Sequence, residues 1–295
     1  MSRLKLAGRT VAITGSTGGL GSDLAIELRS RGANLALLDL DRNAVERQAS
    51  SLGGGTVARG WCADVRDLAS LEAAMSEAAA HFGRLDVAVA NAGIGVVESI
   101  ATGDPATFER IIDINLTGVW RTFRAALPHV LERRGHLLAV SSMAAFIHSP
   151  LNGAYTASKA GVWALCDSIR LELRHTGVTV GSVHPTFFDT PMMDGVLDDP
   201  AGRAIWGEHK KQPWKFVPRA TVVTGAVDAI ERRAALTTVP RNLALAARMA
   251  GLIRKPIEAA GFSNASIRAA LQHAAQRNQQ DRVAHLGDSV GETLS

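Results

Sequence analysis

The chain contains a single tyrosine, Tyr155, and four residues beyond it a lysine, within Tyr155-Thr156-Ala157-Ser158-Lys159. A free phenol titrates near pH 10, too high for a base at neutral pH, and a neighbouring ammonium favours its ionised form. Spacing of i, i+4 sets both side chains on one helix face, where they can serve one reacting centre. Such a pair can take a proton from an alcohol or return it to a carbonyl oxygen. On its own the spacing is weak evidence, because a solvated helix face is the commoner reading.

A second element gives it weight. Thr14-Gly15-Ser16-Thr17-Gly18-Gly19-Leu20-Gly21 follows the apolar run Thr10–Thr14 and opens a helical pattern with Leu20, Leu24 and Leu28 at i, i+4 spacing. Glycines in that place let the backbone approach a pyrophosphate, while the helix N-terminus directs N–H groups at the anion. Gly15, Ser16, Thr17, Gly19, Leu20 and Gly21 are therefore the expected dinucleotide contacts. The second strand ends at Asp39, about two dozen residues after the first glycine. A carboxylate there accepts hydrogen bonds from ribose hydroxyls and repels a 2′-phosphate, which favours NAD over NADP. Arg42 is the one nearby cation that works against that choice.

The elements that must carry these groups follow from periodicity. Strands are expected at Thr10–Thr14, Leu35–Leu38, Thr56–Trp61, Asp86–Ala90, Leu137–Val140, Val178–Val183 and Leu236–Val239, with helices between them, including Ala44–Leu52 and Leu68–Phe82. This alternation predicts an α/β fold: one Rossmann-type, doubly wound parallel sheet over residues 1–240, followed by a helical extension over 241–295. In the extension, Arg241–Lys255 reads as one helix with Leu245, Met249 and Leu252 on one side and Arg241, Arg248 and Lys255 on another, ended by Pro256. A weaker helix is expected at Ala265–Arg277, then a polar tail from Asn278.

The bulk numbers exclude several classes. With 295 residues, 46% hydrophobic, 20% charged and a net charge of +4, the composition is that of an ordinary globular protein and not of a nucleic-acid-binding or disordered chain. Cys62 and Cys166 form no motif and read as free, mostly buried thiols; the scattered histidines give no metal spacing. No signal peptide and no apolar run of membrane-spanning length is visible, so a cytoplasmic location is expected.

Taken together the residues resemble the short-chain dehydrogenase/reductase family over about Leu6 to Pro240. Thr14, Gly15, Gly19 and Gly21 match its glycine motif. Asp64, followed by Val65, matches its adenine-contacting acid, and Asn91-Ala92-Gly93 its Asn-Ala-Gly motif lining the cofactor. The resemblance implies catalytic roles for Asn115, Ser142, Tyr155 and Lys159, with Ser141 the weaker alternative to Ser142. Tyr155 and Lys159 would also touch the cofactor, and Asn115 would hold a water linked to Lys159. Pro185 and Thr186 stand where the family has Pro-Gly, and Thr190 matches the threonine that meets the carboxamide. Thr186 is the main departure: it bears on backbone freedom beside the nicotinamide and should narrow the pocket.

The resemblance places a substrate lid at about 186–217. It carries Phe187, Phe188, Met192, Met193, Val196, Leu197, Trp206 and Trp214, and Met143, Phe146, His148 and Asn152 border the same pocket. Ser142, Phe146, His148, Asn152, Phe187, Met192 and Met193 are the expected substrate contacts, suited to a lipophilic secondary alcohol or ketone of steroid, terpenoid, retinoid or acyl-lipid type. Two alternatives stand beside this: an NADPH-dependent ketoacyl or keto-lipid reductase, and a non-catalytic nucleotide sensor, which would predict decay of the catalytic quartet. The resemblance also implies a homodimer or homotetramer, with Trp163, Leu165 and Ile169 serving as core or subunit contacts. Residues 241–255 offer either a cap on the cleft or a subunit interface, or peripheral contact with anionic lipid.

Overall fold

A computed structural model describes residues 3–206 and 216–277 of the chain. Seven parallel strands form one sheet in the order β3-β2-β1-β4-β5-β6-β7. They are β1 (Thr10–Thr14), β2 (Asn34–Asp39), β3 (Ala58–Cys62), β4 (Val87–Ala90), β5 (His136–Val140), β6 (Thr179–Pro185) and β7 (Leu236–Val239). The order reverses between β1 and β4, and a crevice opens there outside the carboxyl ends of the strands. The intervening helices are α1 (Gly19–Ser30), α2 (Arg42–Ser51), α3 (Leu68–Phe82), α4 (Pro105–Ile112), α5 (Gly118–Glu132), α6 (Gly153–Glu172), α7 (Pro191–Asp198), α8 (Pro200–Trp206) and α9 (Arg219–Arg232).

Strands covered on both faces read as continuous apolar runs, and the side chains still alternate. Val11, Ile13, Leu35 and Leu37 enter one core layer with Leu24 and Leu28 of α1 and Val222, Val227 and Ile230 of α9. Ala12, Ala36 and Leu38 face the other layer with Leu71 and Met75 of α3, Phe123 of α5 and Val162 of α6. Asp41, Asp67 and Asp104 cap α2, α3 and α4 by accepting backbone N–H bonds.

The extension departs from expectation. Arg241–Lys255 is not one helix: a 3₁₀ turn at Arg241–Leu243 leads into α10 (Ala244–Arg248), the chain turns at Met249, and α11 runs Ala250–Gly261. Pro256 lies inside α11 rather than ending it; its missing N–H removes one helical bond without stopping the helix. Arg241 turns away from Arg248 and Lys255 and pairs with Asp228 of α9. Leu245 and Leu252 are 63% and 73% exposed, so the row read as the packing face looks outward. A last helix, α12, spans 264–277. Cys62 is exposed rather than buried, whereas Cys166 is buried and its thiol is pushed up to about 12 by burial. Among the described residues no cluster of metal-ligating side chains occurs and no helix is long and apolar enough to cross a membrane. Trp214, part of the lid segment and the tail from Asn278 lie outside the described residues.

Two buried histidines couple stability to pH. His136 of β5 and His184 of β6 are fully buried, and burial lowers them to about 3 and about 4. Between their ordinary value near 6.5 and about 4, the unfolded chain binds protons that the native state refuses. Stability therefore falls as pH is lowered through that window and returns as it is raised. Thermal unfolding should show the midpoint dropping from pH 6.5 to 4.5, with a shallower slope in His136→Asn; an unchanged slope would contradict the assignment.

Candidate active site

A single cleft of about 840 Å³ runs along the carboxyl edge of the sheet and takes in the glycine loop, Tyr155 and the lid. At one end, Gly18 stands at the N-cap of α1 with no side chain capping the first turn, leaving its N–H groups for an anion. Gly15 has φ of +65°, and a Cβ there would lie 2.8 Å from Ala92 Cα. A Cβ on Gly21 would lie 2.1 Å from the Gly15 carbonyl oxygen. Both glycines are required by these approaches. Asn91 fastens the turn by donating to the carbonyls of Thr14 and Gly15 at 3.1 and 2.9 Å. Ser16 differs from expectation: its hydroxyl is buried and donates to Gln48 of α2, so its side chain holds the loop and does not line the cleft.

Asp39 lines the cleft at the end of β2. One carboxylate oxygen accepts from the Thr17 N–H at 3.0 Å and the Thr17 hydroxyl at 2.6 Å; the other accepts from the Leu40 N–H at 2.8 Å. Of roughly four lone-pair sites on a carboxylate, about one is left for a further donor. Its charge faces the cleft regardless. Arg42 is exposed on α2 and does not line the cleft. Arg66, which sequence reasoning passed over, does; its guanidinium binds Asp64 at 2.7 Å and holds that carboxyl below its usual range. Val65 and Arg110 also line the cleft.

At the centre, α6 carries Tyr155 and Lys159. Lys159 is 5% exposed, its Nζ donates to the Val140 carbonyl at 3.0 Å and lies 5.5 Å from the Tyr155 ring centroid. Desolvation lowers its pKa to about 8. Tyr155 is half-buried, and enclosure pushes its phenol above its ordinary value; a hydrogen bond with Ser142 partly offsets this. Burial is the larger of these two influences, so the chain's own groups leave the phenol raised. Ser142 also accepts from the Ala144 N–H at 3.1 Å, and His184 holds its carbonyl at 3.1 Å. Ser141 donates instead to the Lys159 carbonyl at 2.9 Å, a brace between β5 and α6.

Asn115 sits in a π-helical turn, Asp113–Thr117, inserted between α4 and α5. Its carboxamide accepts from the Ile94 N–H and donates to the Ile94 carbonyl, both at 2.8 Å, and reaches Ser158 at 3.3 Å. It fixes the loop after β4, with Gly93 between it and Lys159.

The remaining wall is mostly apolar. His148, Asn152, Phe187, Met192 and Met193 line the cleft, as do Pro185, Thr186 and Thr190. Thr186 has no left-handed φ, so the lost glycine costs no backbone strain, and its N–H donates to the Val239 carbonyl at 2.9 Å. Phe146 corrects the expectation. It is 1% exposed and packs between Trp163 and His184 at 4.9 and 4.7 Å, beneath the Ser142 loop rather than in the cleft. Met143, Ala144 and Ile147 take the lining role. Sequence reasoning also missed Leu151, which holds φ of +59°, and Leu243, Ala246 and Ile257 from the extension. The apolar spacing in the extension drew attention to the outward row, and nothing in it marked the inner one.

The pattern described as short chain dehydrogenase matches residues 9–201, well over half of the chain. The chain belongs to the short-chain dehydrogenase/reductase family. It is an α/β oxidoreductase of the Rossmann type. It is 37% identical to (-)-trans-carveol dehydrogenase of Rhodococcus erythropolis over 207 residues, 64% of this chain and 74% of that one. It is 33% identical to an uncharacterized NAD-dependent oxidoreductase of Mycobacterium tuberculosis over the same shares. The crystal structure of a 3-ketoacyl-(acyl-carrier-protein) reductase from Brucella melitensis complexed with NADH superposes with a TM-score of 0.68 at 26% identity, covering 79% of this chain and 97% of that one. Leu243, Ala246 and Ile257 lie beyond the matched family region.

Proposed function

We propose that the chain is an NAD-dependent dehydrogenase of a lipophilic secondary alcohol, working equally as reductase of the ketone. The observation that carries this reading is one continuous cleft with an uncapped helix N-terminus and Asp39 at one end, Tyr155 and Ser142 at the centre, and an apolar wall beyond. The residues fit a dinucleotide: a pyrophosphate has the N–H groups of α1, an adenosine ribose has Asp39, and the adenine has Asp64 and Val65. NAD, when bound, supplies the acceptor or donor of a hydride at the carbinol carbon.

The protein's part is proton transfer and positioning. Tyr155 Oη takes the proton from the substrate hydroxyl in oxidation and returns it in reduction. Ser142 steadies the substrate oxygen through a hydrogen bond that strengthens as charge develops there. Lys159, protonated below about pH 8, places a cation behind the phenol and would hold the nicotinamide ribose of a bound cofactor. Because burial raises the phenol, oxidation should accelerate toward alkaline pH, where the phenolate is more populated.

Asp39 carries the cofactor choice. Titration with NADH and NADPH, read by energy transfer from tryptophan, should show NADH bound at least about tenfold more tightly, and Asp39→Ala should bring the two affinities together. NADPH preferred by the unaltered chain would move the reading to the ketoacyl or keto-lipid reductase. Binding of neither would leave a non-catalytic role. A homodimer or homotetramer remains part of the proposal, supported by family membership and by Phe108 of α4 and Trp120 of α5, 44% and 42% exposed. The exposed row Leu245, Met249 and Leu252 beside Arg248 and Lys255 supplies the apolar and cationic surface that lipid contact requires.

A further inference from the structure

All seven strands are parallel, so every strand delivers the chain to the same edge of the sheet. β7 is no exception. It ends at Val239 beside Thr186, and the segment that follows emerges at the cleft rather than on the far side. Leu243, Ala246 and Ile257 then face inward and line the cleft together with Ile147, His148 and Trp206.

This wall is fastened at three points. Glu258 of α11 accepts from the His148 N–H at 2.9 Å, which ties the extension to the loop after Ser142. At the end of α12, Arg277 pairs with Asp199 between α7 and α8, and it donates to the Val97 carbonyl at 2.7 Å. Ala270 and Ala274 of α12 are buried against Ala201 and Ile205 of the lid and Val97 and Leu151 of the opposite rim. The extension thus spans from the lid to the rim and closes the apolar end of the cleft. Its two sides differ in kind: the inner side is small and aliphatic, and the outer side carries Leu245 and Leu252 in solvent.

We propose that residues 241–277 form a specificity wall, in which Leu243, Ala246 and Ile257 set the size of the group that the substrate carries on the side of its carbinol away from the cofactor. The wall takes an aliphatic or alicyclic group, since it offers no charged side chain at those three positions. The proposal rests on the dehydrogenase reading and goes beyond it, because these residues lie outside the family region.

The test compares Ala246→Trp, which fills the inner side, with Leu245→Trp, which adds the same ring outside on the same short helix. Each full-length variant is assayed with propan-2-ol, cyclohexanol and 4-tert-butylcyclohexanol, and NADH affinity is measured in parallel. Ala246→Trp should lower kcat/KM for the bulkiest alcohol at least about tenfold while propan-2-ol and NADH binding change less than about twofold. Leu245→Trp should change nothing. Equal losses for all three alcohols, or equal effects of the two variants, would overturn the wall. If the unaltered protein oxidises no alcohol, the dehydrogenase reading fails and the wall is judged by binding. Weaker uptake of the lipophilic fluorophore N-phenyl-1-naphthylamine by Ala246→Trp alone would support it, and unchanged uptake would overturn it.

Discussion

Tyr155→Phe is expected to abolish turnover by at least about 100-fold while leaving NADH binding within about twofold. The substitution removes one oxygen from a half-buried ring and leaves the ring's packing in place. Phenylalanine has no hydroxyl proton to take or return. Lys159 is committed to the Val140 carbonyl, and Ser142 accepts from Ala144 and has no base of its own. Paired measurement of kcat/KM and NADH affinity decides the matter. A variant retaining more than about a tenth of the wild-type rate would remove Tyr155 from its role, and lost nucleotide binding would mean a structural role instead. The hydrogen bond between Ser142 and the phenol gives a second expectation in the same experiment: with the Oη gone, Ser142→Ala should add little to the damage already done, since the two act on one substrate oxygen.

Gly21→Ala should weaken NADH binding by about 100-fold, equivalent to about 2.8 kcal/mol, and lower the stability of the protein as well. The new methyl group would lie 2.1 Å from the Gly15 oxygen and 2.8 Å from the Asn91 amide nitrogen. Those two atoms bond each other across the turn at 2.9 Å, so neither can yield without releasing the loop from β4. Overpacking of this kind typically costs about 1–3 kcal/mol of stability. Gly55→Ala is the control, because a Cβ there meets nothing within 4 Å. If Gly21→Ala binds NADH as the unaltered chain does, the helix N-terminus is not where the pyrophosphate rests.

Much of this was legible in the sequence because it depends on local rules. A strand covered on both faces reads as an apolar run, and Leu35–Leu38 and Leu137–Val140 announced themselves in that way. Leu68–Phe82 was readable as a helix from its periodicity, and the structure adds Asp67 as its cap. Gly15, Asp39, Asn91 and Ser142 lie at or just after the ends of β1, β2, β4 and β5, and a parallel sheet brings those strand ends to one edge, where the helical residues Asn115, Tyr155 and Lys159 meet them.

Tertiary structure decided what sequence spacing cannot express. Phe146 and Met143 are both apolar residues near Ser142, and only the fold shows that one lies under the loop and the other in the cleft. The phenol's pKa depends on how much solvent the surrounding helices remove, which no motif encodes. Ser16 belongs to the glycine motif by position but spends its hydroxyl on Gln48. In the extension, regular spacing pointed to Leu245, Met249 and Leu252, yet the turn at Met249 rotates that row outward and brings Leu243, Ala246 and Ile257 inward. Local sequence determines which backbone forms; which side chain reaches the cleft is set by contacts between residues a hundred positions apart, such as His148 with Glu258.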